Sequence, residues 1–185
     1  MSIHFTTVQT DRDVDQILEL QALNHPTAID EATLKSQGFV TVRHQPDVLR
    51  RMNQLYPSVI ALDGDQLAGY CLVMLRAFAA EVPILLPMFE KLETLSWHGK
   101  SLQESRWFVM GQVCVAESYR GQGVFDGLYR KLADHCRADF DFTVTQVAER
   151  NPRSLRAHHR VGFETFHIYP DQKAGETWHV IALDF

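Results

Sequence analysis

Trp107-Phe108-Val109-Met110-Gly111-Gln112-Val113-Cys114-Val115, followed closely by Tyr119-Arg120-Gly121-Gln122-Gly123-Val124-Phe125, is the stretch that decides the fold of this 185-residue chain. The first run is apolar and of strand length. From Gly123 onward Val124, Leu128, Leu132 and Cys136 recur at helical spacing and define one apolar face. A strand, a short glycine-bearing turn and a helix start together make an anion site. The N–H groups of a first helical turn have no intrahelical partner, and the helix dipole adds partial positive charge at the same point. Glycine lets the backbone approach a diphosphate without side-chain obstruction.

Spacing narrows the choice of anion. A Walker loop requires Gly-x-x-x-x-Gly-Lys-Ser/Thr, and no Lys-Ser/Thr follows here. A dinucleotide fingerprint requires a third glycine, where Gly121-Gln122-Gly123 continues to Val124-Phe125-Asp126. What remains resembles the pyrophosphate loop of the GNAT acyl-CoA N-acyltransferases, Gln/Arg-x-x-Gly-x-Gly/Ala, here Arg120-x-x-Gly123-x-Phe125. The last position departs from the pattern. Its N–H can still donate, but the phenyl ring must turn away from the phosphates.

A second motif strengthens the resemblance. Asn151 to Phe163 reads as a complete short helix, with Asn151 as N-cap, Pro152 at the first position and Gly162 at the left-handed C-terminal position. It is similar to the family helix Asn-x-x-Ala/Ser-x-x-x-Tyr-x-x-x-Gly-Phe, which Asn151, Ser154, Gly162 and Phe163 match and in which His158 replaces tyrosine. A strand expected over Asp141 to Ala148 separates the two motifs.

The resemblance implies acetyl-CoA as acyl donor. Arg120, Gly121, Gln122, Gly123, Val124 and Phe125 would hold its diphosphate, Val113, Cys114 and Val115 would run along the pantetheine arm, and Asn151 and Ser154 would lie near the thioester. His158 is the candidate catalytic residue at the leaving sulfur, one helical turn after Ser154. His159 points elsewhere and reads as a surface residue. The acceptor would be a small-molecule amine attacking the thioester directly. A protein or peptide N-acetyltransferase and a non-catalytic acyl-CoA-binding module stay open as alternatives. A free alkylamine has a pKa near 10, so at neutral pH about one molecule in a thousand is nucleophilic, a deficit of about 4 kcal/mol. A proton must be removed and an oxyanion stabilised. Gln112 cannot take a proton usefully, and neither Glu117 nor Glu149 is assigned as base.

Composition bounds these readings. Hydrophobic residues make up 45% and charged residues 22% of a chain whose length suits one domain over 1–185. No apolar run approaches a membrane span, and no secretory pattern opens the chain. Cys71, Cys114 and Cys136 are widely spaced in apolar segments, which fits buried thiols in a cytoplasmic protein without a metal site. The net charge of −5 argues against nucleic acid as partner. Residues 118–162 nevertheless carry a net +3, a positive patch suited to a polyanionic cofactor.

The expected fold is α/β (α+β), a mixed and mainly antiparallel sheet of six to seven strands with helices on both faces. A strand over Ile3–Thr10 and a helix over Asp11–Asn24 come first. A short helix (Asp30–Gln37), an extended piece (Phe39–Arg43) and a helix (Pro46–Leu55) follow. Asp63-Gly64-Asp65 marks a hairpin between Ser58–Leu62 and Leu67–Arg76. Residues 77–105 are too long for a hairpin connection and read as an insertion with a helix over Glu90–Trp97. Pro83 to Met88 and Trp97 supply apolar surface there for the acceptor, or equally for a lid or homodimer contact. Strands over Glu164–Tyr169 and Trp178–Phe185 close the chain.

Overall fold

The computed structural model describes residues 2–25 and 42–185. Strand β1 (Ile3–Thr7) leads to helix α1 (Asp11–Leu23), and α2 (Pro46–Leu55) leads to the hairpin of β2 (Val59–Asp63) and β3 (Gln66–Met74). Strand β1 stops short of the expected Thr10 because Thr10 is the N-cap of α1. Its hydroxyl accepts from Asp13 N–H, and the Asp13 carboxylate accepts from Thr10 N–H in return. The helix expected over 30–37 and most of the extended piece over 39–43 lie outside the described residues.

The segment after β3 folds differently from its sequence reading. Helix α3 spans Leu86–Glu93, with Pro87 in its first turn, and so starts and ends four residues before the expected Glu90–Trp97. Trp97 belongs instead to a two-stranded hairpin, β4 (Ser96–Trp97) with β5 (Lys100–Ser101). His98 and Gly99 turn it with φ of 48° and 76°, the left-handed pair that a two-residue turn demands. Nor does Trp97 offer surface to an acceptor. It is buried, and its indole Nε1–H donates to Asp184 Oδ1 at 2.8 Å. Phe78, Val82, Phe89, Leu92 and Leu102 from the same segment are buried in the core beside it, whereas Ile84 is exposed.

Strand β6 (Trp107–Val115), helix α4 (Val124–Cys136), strand β7 (Phe142–Ala148) and helix α5 (Pro152–Arg160) follow in the expected order. The sheet is completed by β8 (Glu164–Asp171) and β9 (Glu176–Asp184). Pro170 lies within β8, which is tolerable because β8 is an edge strand.

Seven strands form one sheet in the order β1-β2-β3-β6-β7-β9-β8, and every neighbouring pair is antiparallel except β6 with β7. Two apolar cores cover its faces. Val14, Ile17 and Leu20 of α1, Leu49 and Met52 of α2 and Leu92 of α3 fill one. Val124, Leu128, Leu132 and Cys136 of α4 fill the other, as their helical spacing foretold. Covered on both sides, β3 is buried over nearly its whole length. Among the described residues no helix is long and apolar enough to cross a membrane.

Gly69 sets how closely β3, β6 and α4 approach. A Cβ there would lie 2.8 Å from the backbone oxygen of Cys114 and 3.3 Å from a Leu128 methyl. Backbone cannot swing aside as a side-chain tip can. Gly69→Ala should therefore destabilise the protein by about 1–3 kcal/mol, measured by urea denaturation.

Candidate active site

The parallel pair β6–β7 is in register from Trp107 with Phe142 to Val109 with Val144. Beyond that point each strand follows its other neighbour. Strand β6 stays on β3 as far as Val115, with a bulge near Gly111, while β7 stays on β9 as far as Ala148. A bulge bends and twists its strand, which helps carry β6 away from β7. The result is a wedge of about 120 Å³ lined by Gln112, Val113, Gln146, Ser154, His158 and Trp178 among others. Ala116 N–H donates to Ala68 O on the β3 side, so by strand alternation the N–H groups of Val113 and Val115 turn toward the wedge.

Next to it lies a cleft of about 500 Å³ between the starts of α4 and α5. Val113, Cys114, Val115, Arg120, Gly121, Gly123, Val124, Phe125, Asn151 and Ser154 all line it. Gly121 and Gly123 have φ of 75° and 77°, and a Cβ on either would meet nothing within 4 Å. Open space above a left-handed turn is what a close-approaching ligand needs. Gly123 is the N-cap of α4 and has no side chain with which to cap it, so the first-turn N–H groups stay available to an anion. Gln122 is an exception among the predicted residues. Its amide turns back to Ser118 O at 2.7 Å and leaves only its backbone for the loop.

Arginines supply the charge. Arg120, Arg153, Arg156 and Arg160 line the cleft together with one carboxylate, Asp126. Arg120 is fixed at two points, Nε–H to Val115 O at 3.1 Å and Nη2–H to Asn24 Oδ1 at 2.7 Å, which ties the loop to the end of β6 and to α1. Asn24 was not foreseen, since 96 residues separate it from Arg120 and no local pattern marks it. First-turn amides, glycines in open space and four guanidinium groups fit a diphosphate-bearing cofactor.

Asn151 caps α5 by accepting from Ser154 N–H at 3.1 Å. Four residues after Ser154, His158 borders the wedge but is only 2% exposed. Its Nδ1 lies 2.8 Å from the Ser154 carbonyl, which can only accept, so Nδ1 carries the proton. Nε2 then accepts from the Tyr129 hydroxyl at 2.8 Å. The rings of Phe125, Tyr129 and Phe163 surround it. Burial pulls its pKa down to about 4, so the imidazole is neutral at pH 7. Tyr129 was missed by the sequence reading, although its place on the helix four residues after Phe125 was a usable signal. His159 is exposed, its Nε2 3.0 Å from Thr165 Oγ1, in keeping with a surface role.

Gln112 shares the wedge with His158, whereas Glu149 does not line it. Gln112 is buried and fully engaged, accepting from Tyr70 O–H at 2.5 Å and donating to Val42 O at 2.9 Å. Glu149 is largely exposed, 3.8 Å from His179 Nε2. All three cysteines are free and buried, and burial pushes the Cys114 thiol up to about 12.

With the splayed parallel pair and the arginine-lined cleft in view, the chain belongs to the acetyltransferase (GNAT) family, whose model matches residues 27–163. Solved structures share the fold at low identity. A Salmonella typhimurium protein, yncA, solved with its cofactor acetyl-CoA, is 17% identical with a TM-score of 0.63, over 100% of this chain and 94% of that one. The ribosomal-protein-S18-alanine N-acetyltransferase of Escherichia coli is 14% identical with a TM-score of 0.57, over 99% and 94%. A chimera of the spermidine N-acetyltransferase SpeG of Vibrio cholerae with hSSAT is 12% identical with a TM-score of 0.59, over 100% and 96%. No curated protein sequence matches the chain.

The buried histidines make stability pH-dependent. His44, also buried, has its pKa lowered by desolvation to about 4 like that of His158. Both values lie below the unfolded value of about 6.5, so between these limits the unfolded chain binds protons that the folded chain refuses. Stability should be fully present above pH 6.5 and fall as pH drops toward 4, by about 1.4 kcal/mol per pH unit for each group. Urea denaturation across this range checks it. His158→Phe should flatten the slope by about one proton's worth, whatever it does to stability at pH 7.

Proposed function

We propose that residues 1–185 form one acyltransferase domain that moves an acetyl group from acetyl-CoA to the amine of a small molecule. One observation carries the reading: the wedge between β6 and β7 opens into the arginine-lined cleft through residues shared by both, Val113, Asn151 and Ser154. In this reading the diphosphate lies on the backbone of Arg120 to Phe125 and the first turn of α4. The pantetheine arm lies along Val113, Cys114 and Val115, where it meets strand N–H groups turned toward the wedge. Asn151 and Ser154 flank the thioester end.

Bound there, acetyl-CoA supplies an activated acyl group. Direct attack by the acceptor is favoured over an acyl-enzyme on Cys114, because a thiol held near 12 stays protonated at neutral pH. The narrowness of the wedge suits a slender amine. His158 serves at the sulfur end as a neutral hydrogen-bond donor. Its Nδ1–H, shared between the Ser154 carbonyl at 2.8 Å and hydroxyl at 3.3 Å, is the proton it can offer, and Tyr129 fixes the tautomer that keeps it there. An imidazolium acid is not required.

Titration calorimetry with acetyl-CoA, followed by a free-thiol assay over a panel of polyamines, amino acids, aromatic amines and an alanine-ended peptide, tests the reading. Binding with thiol release on a small amine is the expected result. Release on the peptide alone would move the acceptor to proteins, tight binding without release on any amine would leave a binding module, and no binding would overturn the cofactor itself. His158→Ala should lower turnover by about ten- to a hundredfold with coenzyme A affinity nearly intact. Collapse of affinity with unchanged turnover of the bound complex would make His158 a cofactor contact. Arg120→Glu should mainly weaken coenzyme A binding, since it breaks the ties to Val115 and Asn24 and reverses a charge in the cleft.

A further inference from the structure

The cleft contains a charge of the wrong sign for its ligand. Asp126 lies in the first turn of α4, where a polyanion is to bind, and it lines the cleft. Its Oδ1 is 2.6 Å from Nη2 of Arg160, which lines the cleft from the last turn of α5. The Arg160 guanidinium also lies over the ring of Phe125, 5.9 Å from its centroid. The consecutive residues Phe125 and Asp126 thus hold a single arginine, one by its face and one by its charge, and the contact joins the two helices that flank the cleft. Phe125 is the position at which a small residue was expected, and its ring is anchored beneath by His158 at 5.3 Å and Tyr129 at 4.9 Å.

This ion pair is half-open to water, with side-chain exposures of 60% for Arg160 and 40% for Asp126. Exposed pairs of this kind contribute little, so a better partner can take the arginine over. A diphosphate is such a partner, being more highly charged and geometrically matched to the guanidinium fork. The Phe125 ring, 5.9 Å away, gives the guanidinium a second contact on the α4 side that does not depend on the carboxylate.

Resting on the coenzyme A reading of the cleft, we infer that Arg160 is a phosphate-binding residue shared between Asp126 and the cofactor, so that Asp126 sets cofactor affinity by competing for it. The carboxylate makes binding weaker than the four arginines alone would give, and it retakes Arg160 when coenzyme A leaves. Asp126 is then a residue for product release rather than for chemistry.

Asp126→Asn, Arg160→Gln and the double variant test this by titration calorimetry with coenzyme A and by thermal unfolding with and without it. Without ligand, Asp126→Asn should unfold within a few degrees of the unsubstituted protein, as expected for a lost exposed pair. Its coenzyme A affinity should rise about fivefold and the ligand-induced thermal shift should grow, while Arg160→Gln should lose affinity by a similar factor. In the Arg160→Gln background the gain from Asp126→Asn should largely vanish. Unchanged or weaker binding by Asp126→Asn overturns the inference while leaving the coenzyme reading intact. An equal gain in both backgrounds also overturns it, because Asp126 would then act by plain repulsion. If the unsubstituted protein binds no coenzyme A, the cofactor reading fails and this inference with it.

Discussion

Parallel pairing between β6 and β7 stops at Val109 and Val144, and the rest of the site follows from that interruption. Both strands are held along their other edges, β6 by β3 and β7 by β9, so neither can bend back to close the gap. Strand N–H groups facing an unpaired edge need partners, because an unpaired buried amide is costly. The gap therefore asks for something extended and able to accept hydrogen bonds. Where the gap ends, the chain turns through Arg120 to Gly123 and starts α4 with open amides, so the same strand that offers hydrogen bonds leads into a helix start whose N–H groups can meet an anion.

Burial decides what the polar residues of the site can do. His158, Cys114 and Tyr129 would each suggest proton transfer or nucleophilic chemistry if met on a surface. Here desolvation holds the histidine neutral, the thiol protonated and the phenol far from ionisation. What they keep is directional hydrogen bonding. A site of neutral donors can orient what it binds by hydrogen bonds rather than by exchanging protons with it.

Legibility in the sequence tracked the range of the interactions. The strand at Trp107–Val115, the apolar face of α4 and the capped helix from Asn151 were readable because periodicity and caps act over a few residues. The helix over Pro46–Leu55 was also read, although the stretch around it shows weaker periodicity. Residues 77–105 were misread in part, since Glu90 to Trp97 has helical composition while the left-handed pair His98-Gly99 forces a hairpin. Contacts made across the fold left no local trace. The buried pair of Gln21 with His44, the tie from Arg120 to Asn24 and the bond from Tyr129 to His158 span 23, 96 and 29 residues. The arginines were legible as a patch, but which of them faced a carboxylate was decided by the packing of α4 against α5.

The strand order carries one more consequence, for how the molecule is made. Strand β9 lies between β7 and β8, yet it follows both in the chain. During vectorial synthesis β7 and β8 therefore emerge without the strand that joins them, and β7 has its short parallel contact with β6 as its one sheet partner until β9 arrives. The β7 wall of the wedge gains most of its sheet pairing late, through a long-range pairing of the kind that slows folding and leaves edges exposed meanwhile. In this architecture the gap between β6 and β7 is among the last features to take shape.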